Sequence, residues 1–541
     1  MLQNVQQLPF AHQLESAGEH QLDKTAYAVL ARMRSAELDA SQQAFLRTPV
    51  FKELETALRR AIGKSIHPAD LMLAIEEYEQ TANRAAADKV IAMMMRLRTS
   101  PNGYVYSDSV DAITKHYRNA NIRVAVSEEL INRFIPAFHQ YAESVTDTIL
   151  GAQVSGKNST LTNLSMRLIP DPLAIRIGLF ANGQVQSNTA SRKGPVTMFN
   201  RGTSNFSAGK QIIVRPNGIQ VTRTETRAAT GNRIVGVQSE LDDVPLVGWL
   251  IRNMARQQHD EQKPFLHNEV LRRVHRSAGQ KMDLAVNQRV ANAERNIGNR
   301  VVDPLRKMNL DPRAMEMRTT GDRAIIRARL ASPTQFGSHT PRPQARADSL
   351  MSLQLHQTAA NNMIEQLDLH GKRMTLEELT SRLSQLFGIT LEVKKEDFKQ
   401  AIIQFADHHP MEFEFENGQI TLTIHLAELK TGKRTWKNFS ARGYYRADVR
   451  KLDVELIRDE GIELLSERLK LRDQLALRSI FTKVFTKNTR IEMLSKAIQQ
   501  QPRLQSLVVS QFTIRDGWMA IAFGENDRGM RLVEKTNVNH R

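Results

Sequence analysis

The stretch from Gly151 through Gly156 to Lys157 and Asn158 nearly has the spacing of a phosphate-binding loop, in which backbone amides and a lysine cradle a nucleotide. Two features count against it. Asn158 stands where Ser or Thr would hold magnesium. The alternation from Leu161 to Leu168 predicts a strand, so no helix N-terminus would face a phosphate. Asp407, His408 and His409 are metal-ligand types, but adjacent side chains on a strand point apart, and a turn before Pro410 accounts for them. His267 and His275 lie two helical turns apart around Glu269, whereas a zinc helix places its histidines one turn apart. There is no Gly-x-Ser-x-Gly elbow. With no cysteine there is no thiolate nucleophile, thiolate zinc site or disulfide. Carboxylate pairs such as Glu76-Glu77 and Glu128-Glu129 fall on predicted helix surfaces. The expectation is a protein that is not an enzyme and needs no cofactor or metal.

The remaining chemistry is cationic. Arg272, Arg273, Arg276, Lys281 and Arg289 share one predicted helix, and the whole chain of 541 residues carries a net charge of +17. That balance favours anionic partners. Nucleic acid is disfavoured, because aromatics are only 6 % and do not alternate with the basic residues as base stacking would require. A solvated helix face is the plain alternative; an anionic membrane surface or lipid head group is the functional one, with Arg272, Arg273 and Arg276 as its contacts. Hydrophobic residues at 41 % and charged residues at 25 % exclude wholesale disorder. No apolar run reaches the roughly 20 residues of a membrane span. Met1 to Phe10 lacks the basic stretch and apolar core of a secretory signal. Oligomeric state is not legible.

The elements that would position these groups fall into blocks. Residues 1–115 read as helices, with Pro68 at a first turn and Leu71, Ile75 and Tyr78 on one face. The second block, 116–331, opens with Ile122, Val124 and Val126 alternating, a cap at Ser127, and Leu130, Ile131 and Phe134 at helical spacing. Antiparallel strands follow, with tight turns expected at Asn182-Gly183 and Asn217-Gly218. Next comes a long helical stretch whose stripe runs Leu266, Val270, Val274, Ala278, Met282, Val286 and Val290, with Pro264 and Gly279 expected to break or bend it. A hairpin about Gly321-Asp322 closes the block. Residues 332–348 are a Pro-rich linker. In the block 349–530, Asn417-Gly418 pairs Phe415 with Ile420 and Phe413 with Leu422, and Asp516-Gly517 pairs Ile514 with Met519. Helices are expected over roughly Ile462 to Ala497, and 531–541 is a tail.

Shifting the chain by 229 residues lays Ile122, Val124 and Val126 on Met351, Leu353 and Leu355, and Leu130, Asn132 and Phe134 on Ala359, Asn361 and Met363. The order of blocks also repeats, which predicts a duplication. A long sheet with one apolar face and a helix with a narrow apolar stripe bury both by wrapping the sheet around the helix. The fold class expected is therefore α+β: two tandem domains of a long helix wrapped by a curved antiparallel sheet, behind an all-helical N-terminal region. A thin helix leaves apolar space inside, suited to an acyl chain. Ile122, Val124, Val126, Leu130, Phe134, Met351, Leu353, Leu355 and Met363 are its expected lining.

This order resembles the tubular lipid-binding superfamily, in particular its tandem, bactericidal permeability-increasing protein-like members. The strand-to-helix starts at Val124–Asn132 and Leu353–Asn361, the Gly248-Trp249-Leu250-Ile251 opening of the long helix, the Pro341–Pro343 linker and the terminal hairpin Phe512–Phe523 carry the resemblance. It spans roughly residues 116–530, without the cysteines that some members use. The resemblance implies lipid binding or transfer, adds Trp249 to the lining, and implies a cell-envelope setting. The whole chain also resembles large, uncharacterised bacterial envelope-associated proteins. Two readings follow. One is a carrier of lipid or another elongated hydrophobe with a basic surface for its head group. The other is a structural protein of the envelope that docks on an acidic polymer or membrane and has a dry core. A cavity separates them.

Overall fold

The computed structural model describes residues 38–525, with isolated positions from 26 to 33, and leaves out 62–67, 82–83, 100–104, 136–137, 244–246, 300–302, 304–309, 311, 333–334, 388–400, 460, 467–468, 486 and 493–501. From residue 40 onwards the described residues form α1 (Ala40–Leu46), α2 (Pro49–Ala61), α3 (Pro68–Thr81), α4 (Arg84–Thr99) and α5 (Ser107–Tyr117). Leu71, Ile75 and Tyr78 of α3 meet Val90, Met94 and Leu97 of α4 and Val110 and Tyr117 of α5, and the cluster closes on Phe336.

Beyond them the protein is α+β, with curled antiparallel sheets. Strand β1 (Ile122–Ser127) runs into α6 (Glu128–Arg133), capped as expected by Ser127, whose hydroxyl accepts from the Leu130 amide. The first sheet holds β2 (Phe138–Ile149), β3 (Ala152–Ile169), β4 (Ile175–Lys193), β5 (Val196–Arg215), β6 (Gly218–Val221) and β7 (Glu225–Ser239). Strands β2 to β5 are consecutive neighbours, and β6 and β7 both pair with β5. Helix α7 (Val247–Ile297) packs against β5, β6 and β7. The hairpin of β8 (Pro312–Thr319) and β9 (Arg323–Leu330) ends this half.

The other half opens with β10 (Met351–His356) and α8 (Gln357–Glu365). Its sheet is built from β11 (Arg373–Thr375), β12 (Ile402–Phe405), β13 (Met411–Glu416), β14 (Gln419–Thr431), β15 (Arg434–Arg450), β16 (Asp453–Arg458), β17 (Glu463–Leu465) and β18 (Asn488–Glu492). Helices α9 (Leu376–Phe387) and α10 (Leu471–Val484) fill it, with Leu379, Leu383, Leu477, Phe481 and nearby Phe485 against Phe405, Trp436 and Phe439. The hairpin of β19 (Leu507–Arg515) and β20 (Trp518–Glu525) is last.

A third, six-stranded sheet joins the halves, in the order β19-β20-β10-β1-β9-β8. It reads the same from either end: a hairpin, then an opening strand, then the other opening strand, then the other hairpin. The two hairpins share a detail that pattern alone would not supply. Each skips one residue, between Ala314 and Glu316 in β8 and between Val509 and Gln511 in β19. A bulge at the matching place gives both hairpins the same bend.

The clamps below the sheet also match. Asn132 donates to the Met166 carbonyl and accepts from its amide, both at 2.8 Å. Asn361 does the same to Phe413, at 2.9 and 2.7 Å. One turn earlier, Glu128 accepts from the Leu168 amide at 2.7 Å and Gln357 from the Phe415 amide at 2.8 Å. Each opening helix thus grips two alternate backbone residues of its own curled sheet.

Four expectations need correction. Asn182-Gly183 is no turn; it lies inside β4, where the Phe206 ring covers Gly183 so closely that a Cβ there would come within 2.3 Å of it. Pro264 and Gly279 do not break α7, which runs unbroken for 51 residues. Pro264 is solvent-exposed, so water can take the carbonyl bond that its missing N–H leaves open. The segment around Thr489 to Ile491 is strand rather than helix, because β16 offers a free edge for it. Residues 463–465 likewise pair with β15. Among the described residues the helices of the second half are short, and positions 493–497 of the expected helical stretch lie outside them. The hairpin registers expected at Asn417-Gly418 and Asp516-Gly517 are those observed. The tail, 531–541, lies outside the described residues.

Candidate functional site

Between α7 and the first sheet lies a cavity of about 1150 Å³, above the roughly 300–1,000 Å³ usual for small-molecule sites. Long strands curl over the helix, and the helix stripe faces them. Leu266, Val270, Val274, Ala278, Met282, Val286 and Val290 all line the space. Their uniform spacing of four advances the stripe by about 40° per step, so it winds slowly round the rod under the curled strands.

The cavity has zones set by strand register. Near the central sheet it is apolar: Leu164, Leu179, Ala181, Ala208 and Ile212 meet Met282, Val286 and Val290. Further along the strands the inward positions turn polar. Asn158 of β3 faces Ser187 of β4, which faces Gly202 of β5, which faces Asn232 of β7. The neighbouring row runs Thr160, Val185, Ser204, Thr230. Ser204 and Thr230 share a hydrogen bond of 2.8 Å. Among the described residues no donor reaches Oδ1 of Asn158 or Asn200. Beyond this belt, Val145, Ile149, Val154, Val196 and Met198 restore apolar lining.

Charged groups stand at the rim. Lys193, Lys263, Arg273, Lys281 and Arg289 line the cavity together with Glu143 and Asp147. Two of these cations tie α7 to β2. Arg273 pairs with Asp147 and donates to the Thr148 carbonyl at 3.1 Å. Lys281 donates to Glu143 and to the Tyr141 hydroxyl, both at 3.0 Å. Burial opposes the Lys281 charge, but these bonds outweigh it and hold the ammonium above its ordinary pKa. On the other flank Lys210, with a side chain 3 % exposed, pairs with Asp283, which also accepts from Thr224. Lys210 and Thr224 hold the Asp283 carboxyl below its usual range. His259, on the lining, is lowered by burial.

The residues expected to line the interior lie elsewhere. Ile122, Val124, Val126, Met351, Leu353 and Leu355 form one half-buried face of the central sheet and do not line the cavity. Ile122, Leu355 and Met363 pack on Leu310, Leu330 and Ala359. Leu130, with Val126 and Met351 beside it, belongs to a cluster with Leu452, Val454 and Phe523. Phe134 is 44 % exposed and Trp249, in the first turn of α7, 59 % exposed. Alternation in β1 and β10 identified an apolar face but not its neighbour, which is other parts of the chain rather than open space. Of the three head-group arginines only Arg273 borders the cavity. Arg272 points outward on an ion pair to Glu269, and Arg276 is exposed. Residues 151–158 form the β2–β3 turn and the start of β3, so no helix follows the phosphate-loop-like spacing. Sequence reasoning missed the polar belt, because Ser, Thr and Asn do not by type mark the inward face of a strand.

Among the described residues no helix is long and apolar enough to cross a membrane, and no cluster of His, Asp and Glu suits a metal ion. No protein-family model and no curated protein matches the sequence. The chain has a weak similarity to a solved structure described as the crystal structure of lipopolysaccharide binding protein, at a TM-score of 0.27 and 9 % identity, over 75 % of this chain and 99 % of that one.

Proposed function

We propose that this protein binds, without chemical conversion, an elongated hydrophobic ligand of lipid class in the tube between α7 and the first sheet. The observation that carries the reading is the tube itself. Its inner end presents about a dozen apolar side chains around open space rather than closing on them. An apolar chain lying there would remove both its own surface and that lining from water, worth about 25 cal/mol per Å². The five rim cations against two carboxylates favour an anionic head group at the mouth. The alternative of a dry-cored envelope protein would need no such space.

Native mass spectrometry after gentle purification tests this directly. The expected result is a co-purified lipid, or uptake of a labelled long-chain fatty acid by the emptied protein. A protein that comes clean and takes up none overturns it. Transfer between membranes is the finer form of the same proposal, and fatty-acid exchange between donor and acceptor vesicles is its measure.

A further inference from the structure

The linker and the central sheet bring Arg123 together with Arg318, Arg327 and Arg342, about two hundred positions further along the chain. Arg123 and Arg327 lie directly opposite one another on β1 and β9. Gln354 lies opposite Arg123 on its other side, in β10. Glu316 of β8 accepts from Arg318 at 2.9 Å and from Arg327 at 2.8 Å. Arg342 reaches in from the linker. Like charges placed opposite each other across a sheet repel, so the arrangement needs compensation.

One carboxylate does not supply it. Among the described residues Arg123 and Arg342 form no close ion pair with a carboxylate, and Glu316 acts on both only at longer range. Both aim at a single neutral atom, Oε1 of Gln354, at 3.5 and 3.4 Å. That oxygen is held in place, because Nε2 of Gln354 donates to the Pro343 carbonyl at 2.5 Å. Gln354 is 1 % exposed, and Nε of half-buried Arg123 has no acceptor. The cluster nonetheless opens to solvent: Arg342 is exposed, and the Arg318 and Arg327 side chains are 45 % and 37 % exposed. Burial, reinforced by the neighbouring guanidinium groups, pushes Arg123 down to about 10.

We propose that Arg123, Arg318, Arg327 and Arg342 form a binding site for a phosphate-monoester anion on the linker-covered face of the central sheet. Four guanidinium groups and one carboxylate leave an excess of three positive charges, which a dianionic phosphoryl group would largely neutralise. Its oxygens match the planar fork of each guanidinium, a geometry that a lysine cluster would not offer. None of the four residues borders the cavity, so the proposal stands independently of the lipid-binding reading. The phosphate can come from a soluble compound or from a lipid head group, and both present the same chemistry.

The test uses the full chain at constant ionic strength. Inorganic phosphate is titrated calorimetrically, and flotation is measured with phosphatidylcholine vesicles with and without phosphatidic acid. Arg342→Gln changes an exposed linker residue, Arg123→Met removes the half-buried charge while keeping an apolar stem, and Arg472→Gln, at an exposed position of α10, is a charge-matched control. The expected result is binding to free phosphate, to phosphatidic acid vesicles or to both, weakened at least tenfold by R342Q and by R123M and unchanged by R472Q. Binding to phosphate identifies a soluble source; binding to the vesicles alone identifies a head group. The proposal is overturned if the wild-type protein binds neither, or if R472Q weakens binding as much as R342Q does.

Discussion

Val124 and Leu353 face each other at the middle of the central sheet, and they are also the pair that coincides when the chain is shifted by 229 residues. Two strands with that property are related by a half-turn passing between those residues. The relation extends outward: Ile122 faces Leu355 just as Met351 faces Val126. The matched bulges and the matched asparagine clamps obey the same half-turn.

The clamps should therefore be worth similar amounts. Asn132→Ala and Asn361→Ala each remove two backbone bonds at a junction between opening helix and curled sheet. Each is expected to cost about 1–3 kcal/mol. The double variant should lose about the sum, since the sites share no partner. Urea titration followed by circular dichroism measures this, and a neutral outcome at both sites would remove the clamp from the account of stability.

Filling the tube should block binding without unfolding the protein. Val185 of β4 lines the cavity in the polar belt, opposite Thr160 of β3. Val185→Trp is expected to lower fatty-acid uptake at least tenfold while the melting temperature stays within a few degrees. Equal uptake by the variant would place the ligand elsewhere.

The β2 seam is the place to look for a gate. Helix α7 rests on β5, β6 and β7 but is tied to β2 through Arg273 and Lys281. Partly exposed ion pairs are worth about 0–1 kcal/mol each and weaken with salt. Arg273→Ala with Lys281→Ala is expected to speed displacement of a fluorescent fatty acid several-fold with little change in overall stability. High salt should speed the wild-type protein in the same direction and leave the variant nearly unaffected, as stopped-flow displacement would show.

Acid should loosen the joint between the N-terminal helices and the linker. Tyr78, Tyr117, Phe336 and His339 form one aromatic cluster there, and Tyr78 hydrogen-bonds His339 at 3.3 Å. Burial, assisted by nearby His116, lowers His339 to about 4, while Glu79 opposes the shift. Burial, with His339, lowers His356 to about 3. Both are neutral when folded and protonate near 6.5 when unfolded. Their stabilising contribution is thus complete above pH 6.5 and declines as pH falls towards 4. Melting temperature against pH should drop over that window, and His339→Gln should flatten the drop. A wild-type curve level from pH 7 to 4 contradicts it.

Much of this was legible in the sequence where a local signal was sufficient. Asn417-Gly418 and Asp516-Gly517 fixed two hairpin registers because those dipeptides adopt the turn that twisted strands need. The same dipeptide at Asn182-Gly183 misled, because there the glycine makes room for Phe206 from the next strand. The α7 stripe identified one wall of the cavity. The opposite wall was hidden, since inward Ser, Thr and Asn cannot be told from outward ones by type. The arginine cluster was hidden for a different reason: Arg123 meets Arg327 only through strand pairing across some two hundred positions, and Arg342 joins them from an irregular linker.

One sheet sharing strands from both ends of the chain has a mechanical consequence. A hinge between the halves would have to tear the β1–β10 ladder, and the linker lies against that sheet through Ser338, Thr340 and Pro343 instead of spanning a gap. The two lobes are welded, so they travel as a unit. Any opening that admits the proposed ligand would lie inside the first lobe, by parting the rod from its outermost strand.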